Sequence, residues 1–308
     1  MYSEIDSKIQ GIVDSILNDV MEDHRYTDIT DHKMIDRDVI VAILEKLETL
    51  LFPAYFSDKK LLGSIALRFE LGSLLADVYT SLSEQIAMAL SYLPAFKHNE
   101  AKRYEHAKAQ TAVFLDKLTK VRSYLKTDIQ AAYEGDPAAF NTDEIVYSYP
   151  GFYAIMVNRL AHELYLLDVP MIPRIMTEYA HSRTGLDIHP GATIGRYFFI
   201  DHATGVVIGE TTVIGDHVKI YQGVTLGGLT TRAGQGLKGK RRHPTIGNNV
   251  TIYSNASILG GDTIIGDGCI IAGNTFITHS IEPNMRVSAK LNELKISQDP
   301  KAVAKPEG

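Results

Sequence analysis

His202 lies in the segment Asp201-His202-Ala203-Thr204-Gly205, where a six-residue spacing of aliphatics lengthens to eight between Ile200 and Ile208. Histidine, with an ordinary pKa of about 6.5, can take a proton from a hydroxyl near neutral pH and hand it on. A hydroxyl relieved in this way can attack an activated carbonyl. Such a base works best when its other ring nitrogen donates to a carboxylate, which fixes tautomer and orientation. A lone histidine is more often structural. His202, however, sits off the aliphatic positions, in a register break, with Asp201 beside it. A second interruption runs from Leu226 to Ile246 and carries Gly227-Gly228, then Arg232, Lys238, Lys240, Arg241 and Arg242. Alone, those basic residues read equally as an anion site or as a solvated loop. A metal site would need three converging histidines. His202, His217 and His243 are candidates, but the repeat region has no His-x-x-x-x-His pair, and no metal is expected.

The elements that hold these interruptions repeat. Aliphatics recur every six residues at Ile188, Ile194 and Ile200, with Val206 next, then at Ile208, Ile214, Ile220 and Leu226. A third set reads Ile246, Ile252, Ile258, Ile264 and Ile270. Glycine often follows, as in Ile194-Gly195, Ile208-Gly209 and Ile246-Gly247. A short fixed period means a solenoid of strand-and-turn units, three units making one triangular coil. The listed aliphatics, and Val206, Val218 and Val224 two places before an aliphatic, are expected to point inward. Interruptions in such a scaffold are where function collects, because the regular positions are committed to packing.

Before the repeats the apolar period is helical. Ile5, Ile9, Ile12, Val13, Ile16, Leu17 and Val20 form one stripe. Val39, Ile43, Leu44, Leu47, Leu50 and Leu51 form another, ended by Pro53. A run from Leu61 and Leu62 to Leu90 and a run from Ala112 to Leu125 follow, with two further helices over about 151–167 and 171–183. Gly135-Asp136-Pro137 is a turn. The expected organisation is a helical N-terminal domain over 1–183, a repeat domain over 184–290 and a polar C-terminal tail over 291–308. The fold class is therefore α+β multidomain.

Composition narrows the function. The 308 residues are 45% hydrophobic with a net charge of −6, so no general attraction to nucleic acid is expected. No apolar run approaches the roughly 18–20 residues that span a bilayer, and the opening residues lack a signal-peptide pattern. The single cysteine, Cys269, cannot form an internal disulfide and reads as a small core or turn residue. A cytoplasmic location follows as an expectation.

Five motifs occur in order: Asp187-Ile188-His189-Pro190, Asp201-His202-Ala203-Thr204-Gly205, Gly209-Glu210-Thr211, Gln222-Gly223-Val224-Thr225-Leu226-Gly227-Gly228 and Arg242-His243-Pro244. Over about 135–290 the chain resembles serine acetyltransferases, hexapeptide-repeat enzymes that make O-acetylserine for cysteine synthesis. The resemblance implies a left-handed parallel β-helix. It implies acetyl-CoA as co-substrate, no permanently bound cofactor, L-serine as acceptor, and direct attack with His202 as general base and Asp187 as its carboxylate. It places the serine ammonium on Asp136 and Asp201 and the carboxylate on Arg242, a planar fork suited to two oxygens. His243 corresponds to the family's second active-site histidine. The CoA contacts fall on Gly228, Ser254 and Gly273, the last two replacing the family's usual alanine.

The resemblance also implies a homotrimer with sites between subunits, or a hexamer of two trimers. Cysteine feedback at the serine site fits the same pattern. Family members bind cysteine synthase through a C-terminal isoleucine. This chain ends in Gly308, so that partnership is not expected. Two rival readings share the coil. One is an acyltransferase for another amino acid or a sugar, which has no need of Asp136, Asp201 and Arg242 together. The other is a non-enzymatic scaffold that regulates a partner.

Overall fold

The structure, a computed structural model, describes residues 2–22, 34–57, 64–230 and 232–289. The expected tail over 291–308 and the residues Leu61 and Leu62 lie outside these. Among the described residues the chain begins with helices α1 (Tyr2–Glu22), α2 (Arg37–Leu51), α3 (Pro53–Phe56), α4 (Ser64–Leu90) and α5 (Glu100–Asp116). Helices α6 (Leu118–Gly135), α7 (Thr142–Ser148), α8 (Pro150–Leu166) and α9 (Ile172–Thr184) follow. Capping follows from the sequence. Asp36, Asn99 and Asn141 each accept a backbone N–H of the first turn of α2, α5 and α7. Pro53 cannot continue α2 and instead opens α3. The run from Ala112 to Leu125 is split at Lys117 into α5 and α6. On α2, Ile40, Ile43, Leu44, Leu47 and Leu51 are buried, as the period requires. The stripe on α1 is exposed: Ile5, Ile9, Ile12, Val13, Ile16 and Leu17 all face outward.

The repeats build a three-faced coil of parallel strands. The first face stacks β1 (Asp187–Ile188), β4 (Val207–Ile208), β7 (Thr225–Gly227), β10 (Ser257–Leu259) and β13 (Phe276–Ile277). The second stacks β2 (Thr193–Ile194), β5 (Val213–Ile214), β8 (Thr245–Ile246) and β11 (Ile264–Ile265). The third stacks β3 (Phe199–Ile200), β6 (Lys219–Ile220), β9 (Thr251–Ile252), β12 (Ile270–Ile271) and β14 (Arg286–Val287). Each strand pairs with the one a full coil away, and the aliphatics stack in columns such as Ile188, Ile208, Leu226, Ile258 and Ile277. Val206, Val218 and Val224 are buried with them, and so is Cys269, two places before Ile271.

One expected register is corrected. Ile264 and Ile270 point outward, and Ile265, Ile271 and Ile277 take the inward positions. One extra residue enters after the three-residue strand β10, at Leu259-Gly260-Gly261, so the step from Ile258 to Ile265 is seven. Gly260 has φ +106°, a conformation glycine adopts at no steric cost.

A buried ion pair docks the helices on the coil. Arg159 of α8 donates from Nε and Nη2 to both oxygens of Asp128 of α6, at 2.6 and 2.8 Å. The same guanidinium caps the carbonyls of Ile194 and Gly195, and Asp128 accepts the N–H of Phe198. Both charges are therefore hydrogen-bonded several times over where they are desolvated, the condition under which a buried pair is tolerated. The pair fixes α6 and α8 relative to the third face, and so places the C-terminal end of α6 beside the His202 segment.

Candidate active site

The register break after β3 sits on the edge where the chain passes from the third face to the first. Its extra residues are taken up by His202 and Ala203, both in the left-handed region at φ +59° and +65°. For residues with a Cβ this conformation is costly and must be held by surroundings. Here Ala203 is buried, and the N–H of Gly205 donates to the carbonyl of Gly185. The strained turn holds the His202 ring outward, 71% exposed. Its Nε2 lies 4.0 Å from Asp201 Oδ1.

Asp136 comes from the far side of this edge. It follows the last residue of α6, and its carboxylate accepts the N–H of Ala138 at 2.8 Å and the hydroxyl of Tyr149 at 2.5 Å. The Tyr149 hydroxyl and the Ala138 amide hold Asp136 below the usual carboxylate range, with Lys219 and His202 nearby adding to it. Burial, then Asp136 itself, pushes the Tyr149 hydroxyl up. Lys219 completes the group, 3.7 Å from Asp201 Oδ2. Asp136, Asp201 and His202 are thus brought together as the sequence reading requires. Tyr149 and Lys219 carried no signal in the sequence, because each meets the site only through tertiary packing.

Asp187 is not within hydrogen-bond reach of His202 among the described contacts. It stands on β1, beside the strand that follows the His202 turn, with its N–H on the carbonyl of Val206. Its carboxylate lies within 4.8 Å of ligand atoms of Glu178 and His181 on α9. Glu178 is already engaged by Arg174 and His181. The same edge continues down the coil through Ser254 and Gly273. Those two are stacked one coil apart. A Cβ on Gly273 would fall 2.9 Å from the Ser254 carbonyl oxygen.

Arg242, His243 and Gly228 lie on a different edge, between the first and second faces. Thr211 organises them. Its Oγ1 accepts the N–H groups of Arg242 and His243, at 2.9 and 3.1 Å. The Thr211 N–H donates to His243 Nδ1 at 3.1 Å, with Thr211 Oγ1 2.9 Å from the same nitrogen. Nδ1 is therefore the acceptor, and the neutral ring carries its proton on Nε2. Burial, with Arg242 adding to it, lowers the His243 pKa to about 4, so the ring is neutral at pH 7. Gly209 makes the room: a Cβ there would fall 2.2 Å from His243 Nε2. A basic, always-charged Arg242 pairs with Glu210 through Nη2. Burial works to raise Glu210, but hydrogen bonds from Arg242 and Tyr165 outweigh it and hold the carboxyl low. His189, also lowered to about 4 by burial and then Arg174, adjoins this group. Of these partners, Gly209, Glu210, Thr211 and His189 fell within sequence motifs, whereas Tyr165 and Arg174 carried no signal.

The edge with His202 can supply a base and two carboxylates. The edge with His243 can supply a neutral N–H donor, an arginine fork and the Gly227-Gly228 backbone. No hydrogen bond or ion pair links the two among the described residues. No helix among them is long and apolar enough to cross a membrane.

Comparison with known proteins points to one family. A family described as "Bacterial transferase hexapeptide (six repeats)" matches residues 243–279. The "Serine acetyltransferase, plasmid" of Synechococcus elongatus is 42% identical over 259 residues, covering 82% of this chain and 81% of its own length. Among solved structures, serine acetyltransferase isoform 3 of Entamoeba histolytica, in complex with cysteine, superposes with a TM-score of 0.72. It is 32% identical and 98% of each chain is covered. Serine acetyltransferase 1 of the same organism, in complex with L-cysteine, gives 0.70 at 36% identity, covering 84% of this chain and 88% of its own. With repeats, edges and relatives in agreement, this left-handed parallel β-helix chain belongs to the serine acetyltransferase family.

Proposed function

We propose that the chain transfers the acetyl group of acetyl-CoA to the hydroxyl of L-serine, releasing O-acetylserine and CoA for cysteine biosynthesis, and that each site is built from two copies. The observation that carries this reading is the placement of complementary machinery on two edges of one coil. Each edge alone lacks half of what the reaction needs. A rotationally symmetric trimer sets one edge of each copy against the other edge of its neighbour, a heterologous contact that closes. Two such trimers through the helical domain would give a hexamer.

In this reading Asp136 and Asp201 bind the serine ammonium and Arg242 its carboxylate, which fixes the hydroxyl near His202. His202 takes the hydroxyl proton as the serine oxygen bonds to the thioester carbonyl carbon. Asp187, on the strand paired with the one that follows the His202 turn, is assigned to the ring once the turn moves toward it as the site closes. The carbonyl oxygen gains negative charge and is met by His243 Nε2–H and the Gly228 N–H. A donor that must stay protonated and uncharged is favoured by the Thr211 contacts and the depressed pKa of His243. The tetrahedral centre then expels the CoA sulfur, and the proton held by His202 goes to the leaving thiolate. Ser254 and Gly273 line the path of CoA along the His202 edge. Direct attack uses no enzyme nucleophile, and buried Cys269 takes no part.

Two similar structures hold cysteine, and cysteine carries the same ammonium and carboxylate as serine. It is therefore expected to inhibit by occupying the acceptor site. A cytoplasmic location suits a soluble acetyl-CoA-dependent enzyme. The experiment is thiol release from acetyl-CoA with L-serine, D-serine, L-homoserine, L-threonine and simple sugars as acceptors. Rapid release with L-serine alone is expected. Release with a sugar and not with L-serine would overturn the acceptor assignment, and release with none would overturn the reaction.

A further inference from the structure

Two carboxylates from distant segments must hold one ammonium, and something has to fix their spacing. Asp136 hangs on the end of α6, whereas Asp201 belongs to the coil. Lys219 meets both segments. From β6 its Nζ donates to the carbonyl oxygen of Gly135, the last residue of α6, and lies 3.7 Å from Asp201 Oδ2. The carbonyls that end a helix carry partial negative charge and lack intrahelical partners, so an ammonium is well placed there. The stem of Lys219 is not free to wander. Its Nζ lies 5.0 Å from the Phe199 ring centroid and 4.7 Å from that of Tyr221. Phe199, paired with Lys219 in the strand ladder, also closes on the helix end. A Cβ on Gly135 would fall 2.7 Å from its Cδ1.

We propose that Lys219 is a positioning residue of the acceptor site, clamping the end of α6, and with it Asp136, against Asp201. This rests on the assignment of Asp136 and Asp201 to the serine ammonium. The charges also add up for one acceptor class. Two carboxylates and one lysine leave a single negative charge, which one substrate ammonium neutralises. An acceptor without an ammonium would leave that charge uncompensated in a closed site. An exposed lysine–carboxylate pair contributes little on its own. Here the lysine joins two separately built parts, and a displacement of about 1 Å between groups that hold a substrate can cost up to about 10²-fold.

The test measures L-serine kinetics at saturating acetyl-CoA. Lys219→Met is expected to raise KM for L-serine about tenfold or more, with kcat within about threefold and KM for acetyl-CoA unchanged. Lys219→Arg keeps a cation with the reach to both acceptors and restores most of the loss. Gly135→Ala pushes the helix end off Phe199 without changing any charge, and should give the same split. An unchanged KM for L-serine in folded Lys219→Met and Gly135→Ala overturns the clamp. So does a fall in melting temperature that lowers kcat and raises both KM values together, since that is a merely structural role. If the unsubstituted enzyme does not turn over L-serine, the reaction itself is overturned before any variant is made, and the clamp falls with it.

Discussion

The two histidines proposed for the active site, His202 and His243, lie on neighbouring edges of one coil, yet their surroundings are opposite. His202 is lifted into solvent by a strained turn, with Asp201 alongside and Asp136 and Lys219 around it. His243 is buried, and Thr211 accepts its backbone N–H and fills its Nδ1, so the ring can only donate from Nε2. One residue type thus stands in an open, carboxylate-lined turn on one edge and in a buried pocket that fixes it as a neutral donor on the other. The edges differ in construction as well. The His202 edge depends on helices α6 and α8 being docked by Asp128 and Arg159, whereas the His243 edge is assembled within the coil by Thr211 and Gly209.

Breaking the base should have the largest effect. His202→Ala is expected to lower kcat by up to about 10⁴-fold while CoA still binds, because general-base catalysis contributes on this scale. Steady-state kinetics and a CoA binding isotherm check both parts. His243→Ala removes an oxyanion donor and should cost about 10²–10³-fold in kcat. Gly209→Ala leaves His243 in the chain but crowds its ring, and should reproduce much of that loss with little change in KM for L-serine. An intact kcat in Gly209→Ala would separate the ring's position from its role.

A smaller effect sharpens the contrast in stability. The folded His243 and His189 have pKa values near 4 against an ordinary 6.5, so the folded state binds fewer protons than the unfolded one between these limits. Stability from keeping these rings neutral is complete above pH 6.5 and is lost as pH falls toward 4. Thermal unfolding followed from pH 7.5 down to about 4 should show a falling midpoint, with a shallower fall in His243→Gln.

The coil was legible because its period is short and repeated, so each aliphatic column announces itself many times. The one slip came where two isoleucines stand together, at Ile264-Ile265 and Ile270-Ile271. Either residue fits a six-residue pattern, and only the extra residue near Gly260 decides. His202, Asp201, Arg242 and His243 stood out by motif. The partners that set their states did not. Lys219 reaches Gly135 across 84 positions, and Tyr149 meets Asp136 through a helix turn with no pattern of its own. The carboxylate next to His202 within one chain is Asp201, and Asp187 lies beyond hydrogen-bond reach. Spacing along the chain carries no information on such distances.

The claim that one active site draws its two histidines from two copies is tested most directly by mixing inactive subunits. His202→Ala and His243→Ala chains, differently tagged, are co-expressed and the mixed oligomers isolated and assayed with acetyl-CoA and L-serine. If each site takes His202 from one copy and His243 from its neighbour, one of the three sites in every mixed trimer regains both, and activity returns to about a third of the unsubstituted enzyme. Mixed oligomers no more active than either parent would contradict the account and place both histidines of each site on one chain.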